Sequence, residues 1–227
     1  MTISKFLLPC TILFISFASS AQSYIKRTVN SGESIVDKSD FLFSSFENAT
    51  VKMKNDGSTV YKMNFNSLIC AMQFIDANND TLVISKPEDI DTITLNDQKF
   101  YFNNGYYQVL ASTDSVKLVV LRTATYEAIK IGALGLPSPS GSGIQSYSVL
   151  DSYLGERKLT MNEDVQVTDE TNYFLINNSY EKIKADKAGF TKSFPAKTSS
   201  ITSYLKQNNI KFSKAPDLIK LFDYCIH

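Results

Sequence analysis

Val51-Lys52-Met53-Lys54-Asn55-Asp56-Gly57-Ser58-Thr59-Val60-Tyr61-Lys62-Met63-Asn64-Phe65 holds two alternating runs joined by a turn. Period-two alternation puts apolar side chains on one face of a strand, and Asn-Asp-Gly supplies residues that adopt left-handed backbone cheaply, so the stretch reads as a β-hairpin. The same pattern continues downstream. Ile69 to Ile75 and Thr81 to Ser85 flank Ala77-Asn78-Asn79. Thr92-Ile93-Thr94-Leu95 and Lys99-Phe100-Tyr101-Phe102 flank Asn96-Asp97-Gln98, and Tyr106 to Ala111 and Val116 to Arg122 follow. Short strands at this spacing predict an α+β, mainly β fold: an antiparallel meander forming a sandwich or open barrel.

The pattern breaks at Gly132 to Gly143, where Pro137, Pro139 and several glycines cannot hold a ladder. Strand-like runs return at Lys158 to Met161, Val165 to Val167 and Tyr173 to Ile176. After Tyr180 the period turns helical. A short helix is expected over roughly Glu181 to Phe194, ended by Pro195. A second places Ile201, Tyr204 and Leu205 on one face, with Thr198 or Ser199 as N-cap, and a third aligns Leu218, Leu221, Phe222 and Cys225 behind Pro216 and Asp217. The expected organisation is an antiparallel β domain over 22–131, a Gly/Ser/Pro-rich loop or linker over 132–147, further strands over 148–180 and a C-terminal cap of two to three short helices over 181–227.

Residues 1–21 read as a signal peptide. Lys5 is the positive start, Phe6 to Phe17 an apolar run too short to span a bilayer comfortably, and Ser19-Ser20-Ala21 a small-residue cleavage site before Gln22. A lipoprotein would need Cys10 as the acylated residue, but Pro9 precedes it and most of the apolar run follows it. The expectation is therefore export to the periplasm or beyond, with the outer membrane as a place of association but not of integration. The strands also lack the aromatic girdles of a membrane barrel.

Composition excludes several classes. With 23 basic and 23 acidic side chains, and Lys5 lost with the leader, no basic excess exists to neutralise phosphates, so nucleic acid is not expected as a partner. The one histidine is His227, the last residue. Hydrolases with a histidine base, and His-ligated zinc or haem, would have to rely on a chain terminus. No CxxC, GxGxxG or Walker loop is present, and no cofactor is expected.

Five groups of residues remain as candidates. Tyr101, Asn103, Asn104, Tyr106 and Tyr107 together offer aromatic faces for sugar rings and amides for hydroxyl groups; the plainer reading places alternate members in the core. Asp76, Asn78 and Asp80 space oxygen ligands as the first half of a calcium loop does, but Thr81 stands where the bend glycine belongs and Pro87 where the bidentate glutamate belongs, so a plain hairpin turn is preferred. Cys70 and Cys225 would form a disulfide in an oxidising compartment, although Cys70 lies in an apolar run where a thiol behaves as a small core hydrophobe. Thr81, Thr92 and Ser115 each follow aspartate and precede an apolar residue, which resembles an O-glycosylation acceptor of Gram-negative exported proteins. The acidic cluster Glu88-Asp89-Ile90-Asp91 reads equally as a shared calcium site or a solvated loop.

Val60-Tyr61-Lys62-Met63-Asn64-Phe65-Asn66, followed by Asp80-Thr81-Leu82, resembles a β-rich module of exported proteins of Gram-negative bacteria. Phe190-Thr191-Lys192-Ser193-Phe194-Pro195, with the apolar positions through Leu221, is similar to their helical tail. The resemblance implies location and architecture and carries no catalytic residue. The preferred expectation is a non-enzymatic binding or structural protein of the cell envelope, taking a glycan or an envelope protein through a sheet face. The competing class is a carboxylate-dependent enzyme acting on polysaccharide, which needs no histidine and would bring two acidic side chains together in a cleft.

Overall fold

The structure, a computed structural model, describes residues 21–34, 37–55, 57–131, 137–138 and 164–227. The expected leader, apart from the buried Ala21, and the expected strand at Lys158 to Met161 lie outside them. Thirteen strands are present among the described residues: β1 (Gln22–Val29), β2 (Glu47–Met53), β3 (Ser58–Asn66), β4 (Ala71–Ile75), β5 (Thr81–Val83), β6 (Ile90–Leu95), β7 (Gln98–Phe102), β8 (Tyr106–Ser112), β9 (Val116–Ala128), β10 (Lys130–Ile131), β11 (Pro137–Ser138), β12 (Val165–Asn177) and β13 (Lys182–Lys184). Eleven of them form one antiparallel sheet in the order β1-β12-β9-β8-β7-β6-β2-β3-β4-β5, with β13 also paired to β12.

Local chemistry sets the turns. Asn96 and Asp97 hold φ of 47° and 60°, the left-handed pair that a two-residue hairpin between β6 and β7 demands, and Asn79 and Asn104 take the same region in their own turns. Asp76 closes the β4–β5 turn by accepting from the backbone amides of Asn78 and Asp80, both at 2.8 Å through Oδ1. The Gly/Pro stretch departs from expectation, since Pro137–Ser138 forms a two-residue ladder with Lys130–Ile131. A ribbon this short has no central strand, so the missing proline donor breaks no inner ladder. Val165–Val167 and Tyr173–Ile176 are one continuous strand rather than two, because the residues between them pair on both sides, with β1 and with β9.

The sheet departs from a simple meander twice. β12 inserts between β1 and β9, so residues beyond the Gly/Pro stretch complete the same sheet as those before it. β6 pairs with β2 rather than with β5, so residues 84–89 must travel back across β4, β3 and β2.

The sheet curls on itself. Phe65 of β3 and Tyr106 of β8, four ladders apart along the sheet, meet edge to face with ring centroids 6.2 Å apart. Leu68, in the β3–β4 turn, is buried in one cluster with Val29, Ala124, Val165 and Val167 from β1, β9 and β12. Arg27 of β1 donates to Asp40 at 2.7 Å, and the 37–46 segment carrying Asp40 runs beside β3 through the Phe41–Asn66 bridge. Side chains therefore bring the two regions together while the backbone ladder stays open. The expected sandwich or open barrel resolves as an open, strongly curled sheet.

Three α-helices follow: α1 (Lys187–Ser193), α2 (Thr198–Gln207) and α3 (Ala215–Ile226). Leu218, Leu221, Phe222 and Cys225 share the buried face of α3, as their spacing requires, and pack with Phe190, Ile201 and the inner residues Val116, Leu118, Val120, Tyr173 and Leu175. The first helix is shorter than expected. Residues 182–184 add a strand to β12, and Asp186 caps α1 by accepting from the Gly189 amide at 2.9 Å. α2 is capped by Lys197 without a side-chain bond, and the Thr198 hydroxyl donates to the Pro195 carbonyl instead.

Cys70 and Cys225 are both free thiols in the structure. Cys70 lies in the β3–β4 turn with φ 54° and donates to the Ser67 carbonyl at 3.3 Å, whereas Cys225 is buried among the helices. The bridge considered from sequence is therefore not formed here. Burial pushes the Cys225 thiol up to about 11 from an ordinary 9.0. The folded state then holds this proton longer than the unfolded state, so stability falls as pH rises from 9 through about 11 and is unaffected by this group below that window. At pH 8, native Cys225 is expected to react with iodoacetamide about a hundredfold more slowly than in denaturant, measured by mass after timed quenching.

Candidate functional site

A cavity of about 560 Å³ lies between the inner face of β2–β5 and the 84–89 strap. Val51, Met53, Tyr61, Met63, Phe74 and Leu82 form its sheet wall. Their position follows from register. Phe74 stands opposite both Met63 and Leu82, Val51 stands opposite Ile93, and alternation places all of them on the face that carries the buried Met72, Ile93 and Leu95. The strap forms the other wall. Ile84 donates its amide to the Met72 carbonyl at 3.3 Å, and the Lys54 amide donates to the Asp89 carbonyl at 3.0 Å, so both ends of the crossing are tied to the sheet.

The chemistry of this cavity is apolar with a polar rim. Val51, Met63 and Ile90 are buried at its floor, and Lys86 and Asp89 are exposed at the strap. Tyr61 is 41% and Leu82 37% exposed, and the Tyr61 ring rests 5.3 Å from that of Phe74. Large apolar side chains left open beside a cavity lose hydration free energy that an apolar occupant would recover.

The aromatic group at the β7–β8 hairpin is divided by the sheet. Tyr106 faces inward, 5% exposed, against Phe102 and Phe65, and belongs to the core. Tyr101 and Tyr107, opposite each other in register, stack on the outer face at 5.5 Å with 18° between their planes. Tyr106 and the Tyr101–Tyr107 pair therefore lie on opposite faces of the sheet. Strand alternation sends neighbouring residues to opposite faces. Asn103 and Asn104 remain exposed in the turn, with Gly105 at φ 145° behind them. Tyr101 and Asn103 instead line an outer cleft of about 620 Å³.

Asp76, Asn78 and Asp80 lie together in the β4–β5 hairpin turn. Asp76 spends its oxygens on the amides of Asn78 and Asp80 and on the Asn78 side chain. Among the described residues no group of three His, Cys, Asp or Glu converges to hold a metal ion. Of the hydroxyl positions, Ser115 is exposed in the β8–β9 turn, while Thr81 and Thr92 are half-buried in strands.

The most burdened carboxylates lie elsewhere. Asp40 is buried and accepts from Arg27 and from the Asp37 amide, and burial still holds its carboxyl above the ordinary range. Asp169 is likewise raised by burial, against the opposing pull of Arg27. Their position beside β1 and the 37–46 segment marks them as part of the side-chain closure of the curled sheet. Neither lines the cavity or the cleft, each of which has one carboxylate, Asp89 and Asp91 respectively.

Sequence reasoning missed the cavity residues. Tyr61, Leu82 and Met53 were visible as members of alternating strands, but their exposure depends on where the strap crosses, and the sequence gives no signal for that. Comparison with family models, curated proteins and solved structures finds no match.

Proposed function

We propose that this chain is an exported, non-enzymatic binding protein whose ligand is a small apolar molecule held between the strap and the inner sheet face. The supporting observation is the cavity of about 560 Å³, walled by six apolar or aromatic side chains and rimmed by Lys86 and Asp89. Its volume falls in the range of about 300–1,000 Å³ used for small-molecule sites, and its balance of apolar wall and few polar groups is theirs too. The single carboxylate in each cavity favours binding over glycoside hydrolysis, which requires two across the scissile bond. Export rests on the leader-like residues 1–21; among the described residues no helix is long and apolar enough to cross a membrane.

Binding of a fluorescent fatty-acid analogue tests this reading. Leu82→Lys places an ammonium at the rim, where partial exposure lets the fold tolerate it. It is expected to weaken the probe at least tenfold with little change in melting temperature. Val60→Lys lies on the opposite face, where Val60 is 61% exposed, and is expected to leave binding unchanged. Absence of saturable binding by the parent chain, or equal effects of the two variants, would refute the apolar site.

A further inference from the structure

The outer face carries a second cavity of different character. The cleft of about 620 Å³ spans the outer sides of β6 to β9 and ends at the turn after β12. Lys54, Lys99 and Lys117 line it, against Asp91 as its one carboxylate. Asp91 is already paired with Lys52 at 3.5 Å, and Lys117 lies over the Tyr101 ring, 5.3 Å from its centroid. The ammoniums of Lys54 and Lys99 have no partner among the described residues. Three lysines beside one engaged carboxylate leave the cleft cationic, although the full chain has no net charge.

Neutral polar groups, with the apolar side chains of Ile90, Phe102, Val109 and Ile176, complete the lining. The side-chain amides of Asn103 and Asn178 are exposed and without partners among the described residues. Asn177, by contrast, is engaged in its own turn, accepting from the amides of Ser179 and Glu181 and donating to the Glu181 carboxylate. That turn sets Tyr180 at φ 59° and leaves its ring 72% exposed at the cleft. The Tyr101 hydroxyl is buried in the wall with no hydrogen-bond partner, an arrangement that folded proteins seldom leave without a reason. Tyr101 itself cannot stack on a ligand, because Tyr107 covers one side of its ring and Lys117 sits over it as well. Tyr180 is the aromatic ring left open.

The geometry points to an acidic saccharide as the occupant of this cleft, with Tyr180 against a sugar ring, the Asn103 and Asn178 amides on hydroxyl groups, and Lys54 and Lys99 on its carboxylate or sulfate. An apolar ligand would strand two ammoniums and two amides without partners, whereas a neutral sugar would leave the cationic charge unused. An acidic sugar engages all three kinds of group. Apart from Ile90, which lines both, this site is built from different residues than the strap cavity.

Equilibrium binding of the full chain to carboxylated, sulfated and neutral oligosaccharides of matched length tests the assignment. At least one acidic class is expected to bind tenfold or more tightly than its neutral counterpart, with affinity falling as salt rises. Lys99→Glu, at an exposed position, is expected to weaken that binding at least tenfold, and Tyr180→Ala about fivefold, both without loss of melting temperature. Equal affinity for acidic and neutral sugars, no binding to any acidic class, or indifference to Lys99→Glu would overturn it. Retention of fatty-acid probe binding in Lys99→Glu would show that the strap cavity is intact, so failure of one site is read separately from failure of the other.

Discussion

Gly189→Ala is expected to lower stability by about 3 kcal/mol or more, which for a chain of this size corresponds to a melting-temperature drop of roughly 6–12 °C. A Cβ built at Gly189 would lie 1.9 Å from the Lys184 carbonyl oxygen and 3.0 Å from its carbon, with Ile183 Cγ2 at 3.1 Å. The nearest obstacle is backbone, so no rotamer change relieves it. Relief requires α1 to move off β13, and two constraints resist that movement. The Gly189 amide is held by the Asp186 cap at 2.9 Å, and the next residue, Phe190, is fully buried in the helical cluster. The change forfeits packing around Phe190 as well as the cap, even though alanine is the better helix former. Gly57→Ala is the contrast: its nearest obstacle is the Asn55 side chain at 3.4 Å, φ is not in the left-handed region, and the expected effect is within about 0.5 kcal/mol. Thermal unfolding followed by far-UV circular dichroism checks both; equal melting temperatures would show that the helix seats more loosely than drawn.

Phe222→Ala is expected to cost about 3–5 kcal/mol. Phe222 has no exposed surface and meets Phe194 edge to face, with centroids 5.6 Å apart and planes at 84°. It lies in the cluster that joins all three helices to β9 and β12, so the hole left by its ring cannot collapse without shifting several elements. Urea titration measures the loss as a lower midpoint at constant slope. The strap cavity belongs to a separate cluster, built on Ala49, Val51, Met63 and Phe65. Below the variant's own transition, fatty-acid probe affinity is therefore expected to match the parent. A change in affinity there would mean that the helical cap and the strap cavity are coupled through the sheet.

The candidate sites were less legible than the strands, and the reason is geometric. Tyr101, Tyr106 and Tyr107 are close in sequence, but β7 and β8 form a hairpin whose alternation turns Tyr106 inward and the other two outward. The outer cleft reunites Tyr101 with Lys54 and Tyr180, residues far from it in the chain that only the curled sheet brings near. Asp76 and Asp80 looked like ligands because turn formation and calcium binding favour the same spacing of oxygens, and the backbone amides of the turn claim the first of them here.

Alternation and turn residues determined by themselves that Val51–Phe65, Thr92–Phe102 and Tyr106–Arg122 pair as hairpins, and helical spacing determined which face of α3 is buried. Both are local properties, because the side-chain period of a strand or helix is set by its own backbone. Tertiary structure alone decided that β12 enters between β1 and β9, that β6 returns to β2, and that residues 84–89 consequently lie over a face left apolar. Such crossings are chosen by which distant strands bury the most surface together, a quantity that depends on the whole sheet and is written in no single segment.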